Sequence, residues 1–162
     1  MCDDFDAGGV VGVIVQCITG LDGQSFTWQQ LTKAQERGKR LAGYAWAFRK
    51  SSVATRLAMF DPFHLEWLGL DVEDTSVSIA SVDRDLALCD DYMGVRGSTE
   101  FYTGRRFFQT MGWLGLTRWC KRSLWDAIYD DNPDPQVDFV PFGGWTTCRT
   151  KQFWAKQVYG GV

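Results

Sequence analysis

The sequence lacks the features that would place the chain in a membrane or on nucleic acid. Its 162 residues contain no run of 18 apolar residues, so no membrane insertion is expected. The net charge is −3 and no basic tract is interleaved with aromatic residues, which argues against a nucleic-acid partner. The first residues are acidic where a signal peptide would be basic, so no export signal is visible.

Signals for metals and cofactors are missing as well. The five cysteines show no Cys-x-x-Cys spacing, and we interpret them as reduced, mostly packed thiols without a zinc site or disulfide frame. Gly8-Gly9 precedes a predicted strand instead of following one, so a phosphate-binding loop is not supported. We therefore expect no metal and no cofactor.

What the chain does contain is apolar strands alternating with helices. Continuous apolar, β-branched or aromatic runs predict buried strands over 10–18, 40–48 and 65–75, and weaker patterns predict strands over 98–103, 123–129, 137–142 and 150–158. Helices are predicted from a capping box at Thr27-Trp-Gln-Gln30 to Gly38, near 51–60, and from Ile79 to Met93. This alternation predicts a parallel sheet covered by helices, in a single domain over 1–162.

The most informative strand ends in acid. Leu68, Leu70 and Val72 share one face of it, and Gly69, Asp71 and Glu73 share the other. The two carboxylates lie roughly 6–7 Å apart at Cα, from two residues of strand rise. A pair of acids near an apolar wall suits cleavage of a glycosidic bond. Two ordinary surface acids at a strand end would give the same spacing, so the pattern alone leaves both interpretations open.

The order of these segments resembles the family 25 glycoside hydrolases, the lysozymes of phages, bacteria and fungi. Seven motifs in the family's order carry the resemblance: Gly12-Val-Ile-Val-Gln-Cys-Ile-Thr-Gly20, Ala42-Gly-Tyr-Ala-Trp-Ala-Phe48, Leu68-Gly-Leu-Asp-Val-Glu-Asp-Thr75, Phe101-Tyr-Thr-Gly-Arg105, Leu124-Trp-Asp-Ala-Ile-Tyr-Asp130, Pro141-Phe-Gly-Gly-Trp145 and Lys151-Gln-Phe153. The resemblance implies a TIM-type β/α barrel. It also implies cleavage of the β-1,4 bond between N-acetylmuramic acid and N-acetylglucosamine in peptidoglycan.

Site residues follow from the same resemblance. Glu73 corresponds to the general acid, and Asp71 to the carboxylate that stabilises positive charge on the sugar or positions its acetamido group. The resemblance suggests further residues for substrate contact, although core packing is the simpler expectation for the aromatic ones: Tyr44, Trp46, Tyr102, Trp125, Tyr129 and Gln152.

The chain departs from the family pattern in several places. The family's first-strand aspartate and its strand-eight aspartate have no counterpart, and Asp126 and Glu100 replace aliphatic and small residues. A complete eight-stranded β/α barrel needs about 200 residues or more, so we expect an incomplete or truncated barrel. Such a barrel leaves open sheet edges. A homo-oligomer or a partner chain would close them, as would a seven-stranded closure, and the chain could equally be a fragment.

Two functions therefore remain open, and catalytic activity is left undecided between them. The first is a peptidoglycan hydrolase acting by carboxylate acid/base catalysis, supported by Asp71 and Glu73. The second is a catalytically impaired barrel module that binds glycan or serves as a structural part of a larger assembly such as a phage particle. A third option is a hydrolase of another polysaccharide. The missing export signal fits a phage endolysin or virion protein and equally a cytoplasmic protein, so the location stays open.

Overall fold

The computed structural model describes residues 11–17, 21–47 and 52–153. In this part of the chain six parallel strands follow one another in sequence order across one sheet: β1 (Gly12–Gln16), β2 (Arg40–Trp46), β3 (Trp67–Asp71), β4 (Ser98–Thr103), β5 (Leu124–Ala127) and β6 (Thr150–Gln152). The sheet curls into a half-barrel, so the predicted fold class, an incomplete α/β barrel, is confirmed.

Helices connect the strands. They are α1 (Leu21–Glu36), α2 (Val53–Leu57), α3 (Ile79–Met93) and α4 (Arg105–Thr110). Short 3-10 turns extend α2 over Ala58–Phe60 and α3 over Gly94–Arg96. In the described part of the chain, no helix has the length and apolar character that crossing a membrane requires.

Each strand separates two environments because its side chains alternate between faces. On β3, Leu68 and Leu70 are fully buried against the helices, whereas Gly69 and Asp71 face the concave side of the sheet, which we call the lumen. Val15 on β1 and Phe101 on β4 likewise point outward into the core. The outer face therefore supplies the hydrophobic driving force, and the lumen is free to carry polar groups.

The helix predicted over Ile79–Met93 is present with those bounds. Ser78 caps it: its hydroxyl accepts from the backbone N–H of Ser81 at 3.1 Å, and the Ser81 hydroxyl accepts from the N–H of Ser78 at 2.8 Å. The buried stripe on its inner side consists of Val82, Asp85, Leu86, Cys89 and Met93. Gly94 ends the helix with φ of 51°, a conformation that favours glycine.

Aromatic residues fill the space outside β4 and β5. Phe108 lies at the centre, fully buried, with its ring centroid 5.1 Å from that of Phe142 and 5.6 Å from that of Trp145. The other members are Phe101, Phe107, Trp113 and Trp119. Edge-to-face contacts of this kind add to the area that the rings bury. Much of the chain's aromatic content, 15% of its residues, is thus core.

Two predictions of local structure were wrong, and one helix was not predicted. Helix α1 begins at Leu21, so Thr27 lies inside it, and its hydroxyl donates to the Gln16 carbonyl at 3.0 Å instead of capping. Residues 137–142 form no strand of the sheet, because Asp138 lies in a turn with φ of 58° and Phe142 packs into the aromatic cluster. An isolated antiparallel bridge joins Phe142 to Trp145. Helix α4 was not predicted at all.

The predicted strand over 150–158 is present as Thr150–Gln152, and its part beyond residue 153 lies outside the described residues. The ends of the strands predicted over 10–18 and 40–48 also reach undescribed residues, at Val10, Ile18 and Phe48. Within the described ranges, β1 and β6 are the two edge strands of the sheet.

Candidate functional site

A cavity of about 420 Å³ opens at the carboxyl ends of the strands. The residues that line it come from all six strands or the segments just after them: Ile14, Tyr44, Asp71, Glu73, Tyr102, Trp125, Tyr129 and Gln152. Carboxyl ends of parallel strands are where functional sites collect in such folds. We call this space the carboxyl-end cavity.

Seven of the eight residues singled out from the sequence line this cavity, which follows from the strand register. Asp71 is aligned with Trp46 on β2 and with Tyr102 on β4, and Tyr102 with Trp125 on β5. Trp46 is the exception, since it is 40% exposed and does not line the cavity. Ile14 was not identified from the sequence as a cavity residue. Ile14 faces the lumen from β1, but the strand is apolar on both faces, so the sequence does not show which of its side chains face the cavity.

Asp71 is the buried acid of the site. Its residue exposure is only 9%, and its Oδ1 has no hydrogen-bond partner among the described residues. Loss of hydration raises the pKa of Asp71 to about 8, and the charge of Glu73 adds to the increase. At neutral pH this carboxyl therefore holds a proton in the unliganded protein.

Glu73 lies two residues beyond, just past the end of β3, and is more exposed than Asp71. Partial burial at the cavity wall raises its pKa above the ordinary value. Two carboxyls with elevated pKa values thus line one cavity: Asp71 is buried in its wall, and Glu73 is accessible to solvent. Such perturbed acids are typical of functional sites, although structural networks also produce them.

The backbone beyond β3 is held in place by its neighbours. The Val72 N–H donates to the Tyr102 carbonyl at 2.9 Å, and the Thr103 hydroxyl donates to the Val72 carbonyl at 2.9 Å. On the other side, the Ala47 N–H donates to the Asp71 carbonyl at 2.7 Å. These bonds continue the sheet one residue past its strands, so both carboxyls project from a fixed support.

Two tyrosines and an amide form the opposite wall. The Tyr102 hydroxyl donates to Gln152 Oε1 at 2.7 Å, and the hydroxyls of Tyr102 and Tyr129 are 3.4 Å apart. Burial raises the pKa of Tyr102, and it raises the pKa of Tyr44 to about 12 with a further contribution from the charge of Asp71. The phenols of Tyr44 and Tyr102 therefore stay hydroxyls that can bond to a polar ligand.

Trp125 forms the floor of the cavity. Its ring meets those of Tyr102, Trp67 and Tyr44 at centroid distances of 4.6, 5.5 and 5.9 Å. Gly69 makes room for it, because a Cβ there would lie 3.2 Å from the Cβ of Tyr44 and 3.4 Å from the Trp125 ring. The indole N–H of Trp125 is buried without a hydrogen-bond partner among the described residues. The floor is therefore an aromatic surface with an unused donor.

Glu100 and Asp126, the two acids foreign to the family pattern, do not line the carboxyl-end cavity. Glu100 is 1% exposed at the amino end of the lumen, where it accepts from the Thr150 hydroxyl at 3.2 Å and pairs with Arg149 at 3.4 Å. Asp126 faces outward from β5, aligned with Lys151 on β6. Glu100 therefore adds no carboxyl to the carboxyl-end cavity.

The site has no arrangement for binding a metal. Across the described ranges, no group of three or more His, Cys, Asp or Glu side chains is placed to hold an ion. The chemistry available to this cavity is proton transfer by Asp71 and Glu73, hydrogen bonding by the tyrosines and Gln152, and stacking on aromatic rings.

Comparison with known proteins gives a fold relationship. The sequence matches no protein family, and it matches no curated protein. Among solved structures, the chain is similar to the spore cortex lytic enzyme SleM of Clostridium perfringens, with a TM-score of 0.62 and 18% sequence identity. The similarity covers 82% of this chain and 49% of SleM, so the chain spans about half the length of that structure.

Proposed function

We propose that this protein is a peptidoglycan hydrolase of the family 25 type, which cleaves the β-1,4 bond between N-acetylmuramic acid and N-acetylglucosamine. The observation that carries the proposal is the position of Asp71 and Glu73 together in an aromatic-walled cavity at the carboxyl end of a central parallel strand. The fold similarity to a spore cortex lytic enzyme supports it. A polysaccharide is accordingly the proposed substrate.

Each carboxyl has a distinct role in the proposed reaction. Glu73, the accessible acid, protonates the leaving glycosidic oxygen as general acid. Asp71, buried beside it, stabilises the positive charge that develops on the sugar or on its acetamido group. Tyr44, Tyr102, Trp125, Tyr129 and Gln152 hold the sugar rings by stacking and hydrogen bonds, and Trp46 offers an exposed ring beside the cavity.

The proton has to change partner for this assignment to operate. In the unliganded protein burial favours a protonated Asp71, with its pKa near 8, over a protonated Glu73. A bound sugar excludes water from Glu73, the more exposed of the two acids, which raises the pKa of Glu73 and favours its protonated form before the bond breaks. The positive charge that then develops on the sugar favours the ionised form of Asp71. Glu73, the residue that faces the leaving group, thus holds the proton when the bond breaks.

The decisive experiment measures new reducing ends from purified peptidoglycan with wild-type protein and with Glu73→Gln. Removing a general acid typically lowers the rate by about 10²–10⁴-fold, so we expect Glu73→Gln to be inactive in this assay. Circular dichroism and an unchanged unfolding midpoint serve as the control for folding. An active Glu73→Gln protein would overturn the role of Glu73.

The products identify the bond. Borohydride reduction followed by mass spectrometry distinguishes muramitol from glucosaminitol at the new chain ends. We expect muramitol, because cleavage on the reducing side of N-acetylmuramic acid leaves that sugar with a free anomeric carbon. Glucosaminitol as the main product would reject the proposed bond specificity while retaining a hydrolase.

A second candidate function is glycan binding without turnover. It is favoured by the composition of the cavity: among the lining residues that the structure describes, Asp71 and Glu73 are the only acids, and both belong to one side of it. Facing them are Tyr129 and Gln152, whose hydroxyl and amide groups can hydrogen-bond a sugar. Saturable binding of peptidoglycan fragments by folded wild-type protein that releases no reducing ends would establish this function instead.

A further inference from the structure

A lysine ammonium lies at the centre of the loop that follows β5. Lys151 is the middle residue of β6, and its side chain points away from the lumen, with none of its surface exposed. Its Nζ donates to Asp130 Oδ2 at 2.5 Å, to the Asp134 carbonyl at 3.2 Å and to the Val137 carbonyl at 3.0 Å. An ammonium has three N–H donors, so every one of them has an oxygen partner.

The loop over 130–137 winds around this charge in consecutive Asx turns. The N–H of Asn132 donates to Asp130 Oδ1 at 3.1 Å, that of Asp134 to Asn132 Oδ1 at 2.9 Å, and that of Gln136 to Asp134 Oδ1 at 2.9 Å. Asp130 therefore binds the ammonium with one carboxylate oxygen and the loop backbone with the other. The carbonyls of Asp134 and Val137 point inward because a cation is there to receive them.

Both partners of this ion pair are chain neighbours of cavity-wall residues. Asp130 directly follows Tyr129, and Lys151 directly precedes Gln152. The Tyr102 hydroxyl lies 3.4 Å from the Tyr129 hydroxyl and 2.7 Å from Gln152 Oε1. We propose that Lys151 is a positioning residue, an internal cation that folds the loop over 130–137 and thereby fixes Tyr129 and Gln152 in the cavity wall.

Sheet pairing alone gives this wall little support. Strands β5 and β6 are aligned over only three residue pairs, from Trp125 with Thr150 to Ala127 with Gln152. Asp126, 2% exposed, is the strand neighbour of Lys151 and adds a second carboxyl close to the ammonium. A buried ammonium left without its oxygen partners is strongly destabilising. The contacts of Lys151 therefore hold the loop over 130–137 in place against β6.

The first test concerns the loop and does not depend on the proposed function. Lys151→Ala removes the ammonium and leaves a channel that matches propylammonium in length. We expect amide hydrogen exchange over 130–137 to become at least about tenfold faster. Propylammonium should restore protection to within about threefold of wild type, whereas 1-propanol, which has the same shape without the charge, should not.

Controls separate the cation from mere space filling. Lys151→Met keeps an apolar side chain of similar length and should lose protection as Lys151→Ala does. Lys33→Met, at an exposed position on α1, should leave exchange over 130–137 unchanged. If Lys151→Met retains protection within twofold, or if 1-propanol rescues as well as propylammonium, the internal-cation assignment is wrong.

The second test concerns the cavity wall and rests on the proposed function. Asp130→Asn weakens the same contact without touching Lys151, and it serves if the Lys151 variants do not fold. We expect KM to rise at least about fivefold with kcat within about threefold of wild type, because Tyr129 and Gln152 bind and transfer no proton. A loss of kcat at unchanged KM would contradict a positioning role. If the wild-type chain releases no reducing ends, binding of peptidoglycan fragments replaces KM, and the exchange and rescue results still decide the role of Lys151.

Discussion

The lumen of the half-barrel has a carboxyl at each end whose pKa is raised by burial, and the two ends differ in the partners that they give this carboxyl. At the amino end, Glu100 lies beside a cavity of about 280 Å³ and is paired with Arg149 and Thr150. At the carboxyl end, Asp71 has an oxygen without a partner, and its neighbour Glu73 carries the same charge. Trp67 and Trp125, in edge-to-face contact, stand between the two cavities.

This difference separates a structural acid from a functional one. A buried carboxylate costs free energy unless it is paired, and Glu100 recovers part of that cost from its partners. Asp71 does not, so the protein keeps it protonated, with a pKa of about 8. An unpaired buried acid contributes less to the stability of the fold than a paired one, but it is available for proton transfer or charge stabilisation. Burial alone therefore does not identify a functional acid.

The largest effect is expected from comparing a substitution of Asp71 with a substitution of Glu100. Asp71→Asn should reduce the release of reducing ends at least about 100-fold, because it removes charge stabilisation where the cation forms. Glu100→Gln should change the rate by less than about threefold, since it lies below the tryptophans and away from the reacting atoms. Steady-state rates on one peptidoglycan preparation test the pair. Equal losses in the two variants would remove the distinction drawn between the ends.

The second prediction concerns stability against pH. An aspartate whose pKa is about 8 in the folded chain and about 3.9 when unfolded binds more protons in the native state between these values. Its contribution to stability is therefore complete below about pH 4 and is lost as pH rises through about 8. Asp71→Asn should gain stability relative to wild type at pH 9 compared with pH 5.

Urea unfolding of both proteins at the two pH values measures this difference. Asp126, whose pKa burial raises to about 6, has the same sign and remains in both proteins, so it cancels in the comparison. The same stability difference at pH 5 and pH 9 would show that Asp71 does not carry an elevated pKa.

The sequence contained enough information to predict the sheet and most of the cavity. Strand alternation alone pairs Asp71 with Glu73 on one face of the strand that ends in acid. Tyr102, Trp125, Tyr129 and Gln152 came from the resemblance, and the register of the strands places them with the two acids around the same cavity. Their roles remain predictions.

What could not be predicted depends on contacts between distant segments. The local sequence predicts that Thr27 caps a helix, but its hydroxyl donates to the Gln16 carbonyl, a contact that only the folded chain brings together. Residues 137–142 are mostly apolar, as a buried strand would be, yet Phe142 packs against Phe108 instead of joining the sheet. The ammonium of Lys151 meets the loop only because β5 and β6 pair. Each case is decided by tertiary packing, which outweighs local propensity.

The smallest expected effect uses two glycines that face opposite sides of the sheet. Gly43 faces the core, where an added Cβ would lie 2.5 Å from Cζ of the fully buried Phe60 ring. Gly69 faces the lumen, where a Cβ would approach Tyr44 and the Trp125 ring at 3.2 and 3.4 Å. Gly43→Ala should therefore lower the free energy of unfolding by about 1–3 kcal/mol, as overpacking does, and leave kcat/KM of the folded fraction unchanged.

Gly69→Ala should lower the stability less than Gly43→Ala does and lower kcat/KM more. The cavity side of Trp125 is open, so the ring can shift by a few tenths of an ångström, and the stability cost should be smaller than that of Gly43→Ala. Because the same shift moves the floor on which a sugar would stack, kcat/KM should fall by up to about tenfold. Urea unfolding and initial rates on both variants decide the matter. A Gly69→Ala protein with full activity would mean that Trp125 is packing alone and that the sugar contacts lie elsewhere along the cavity.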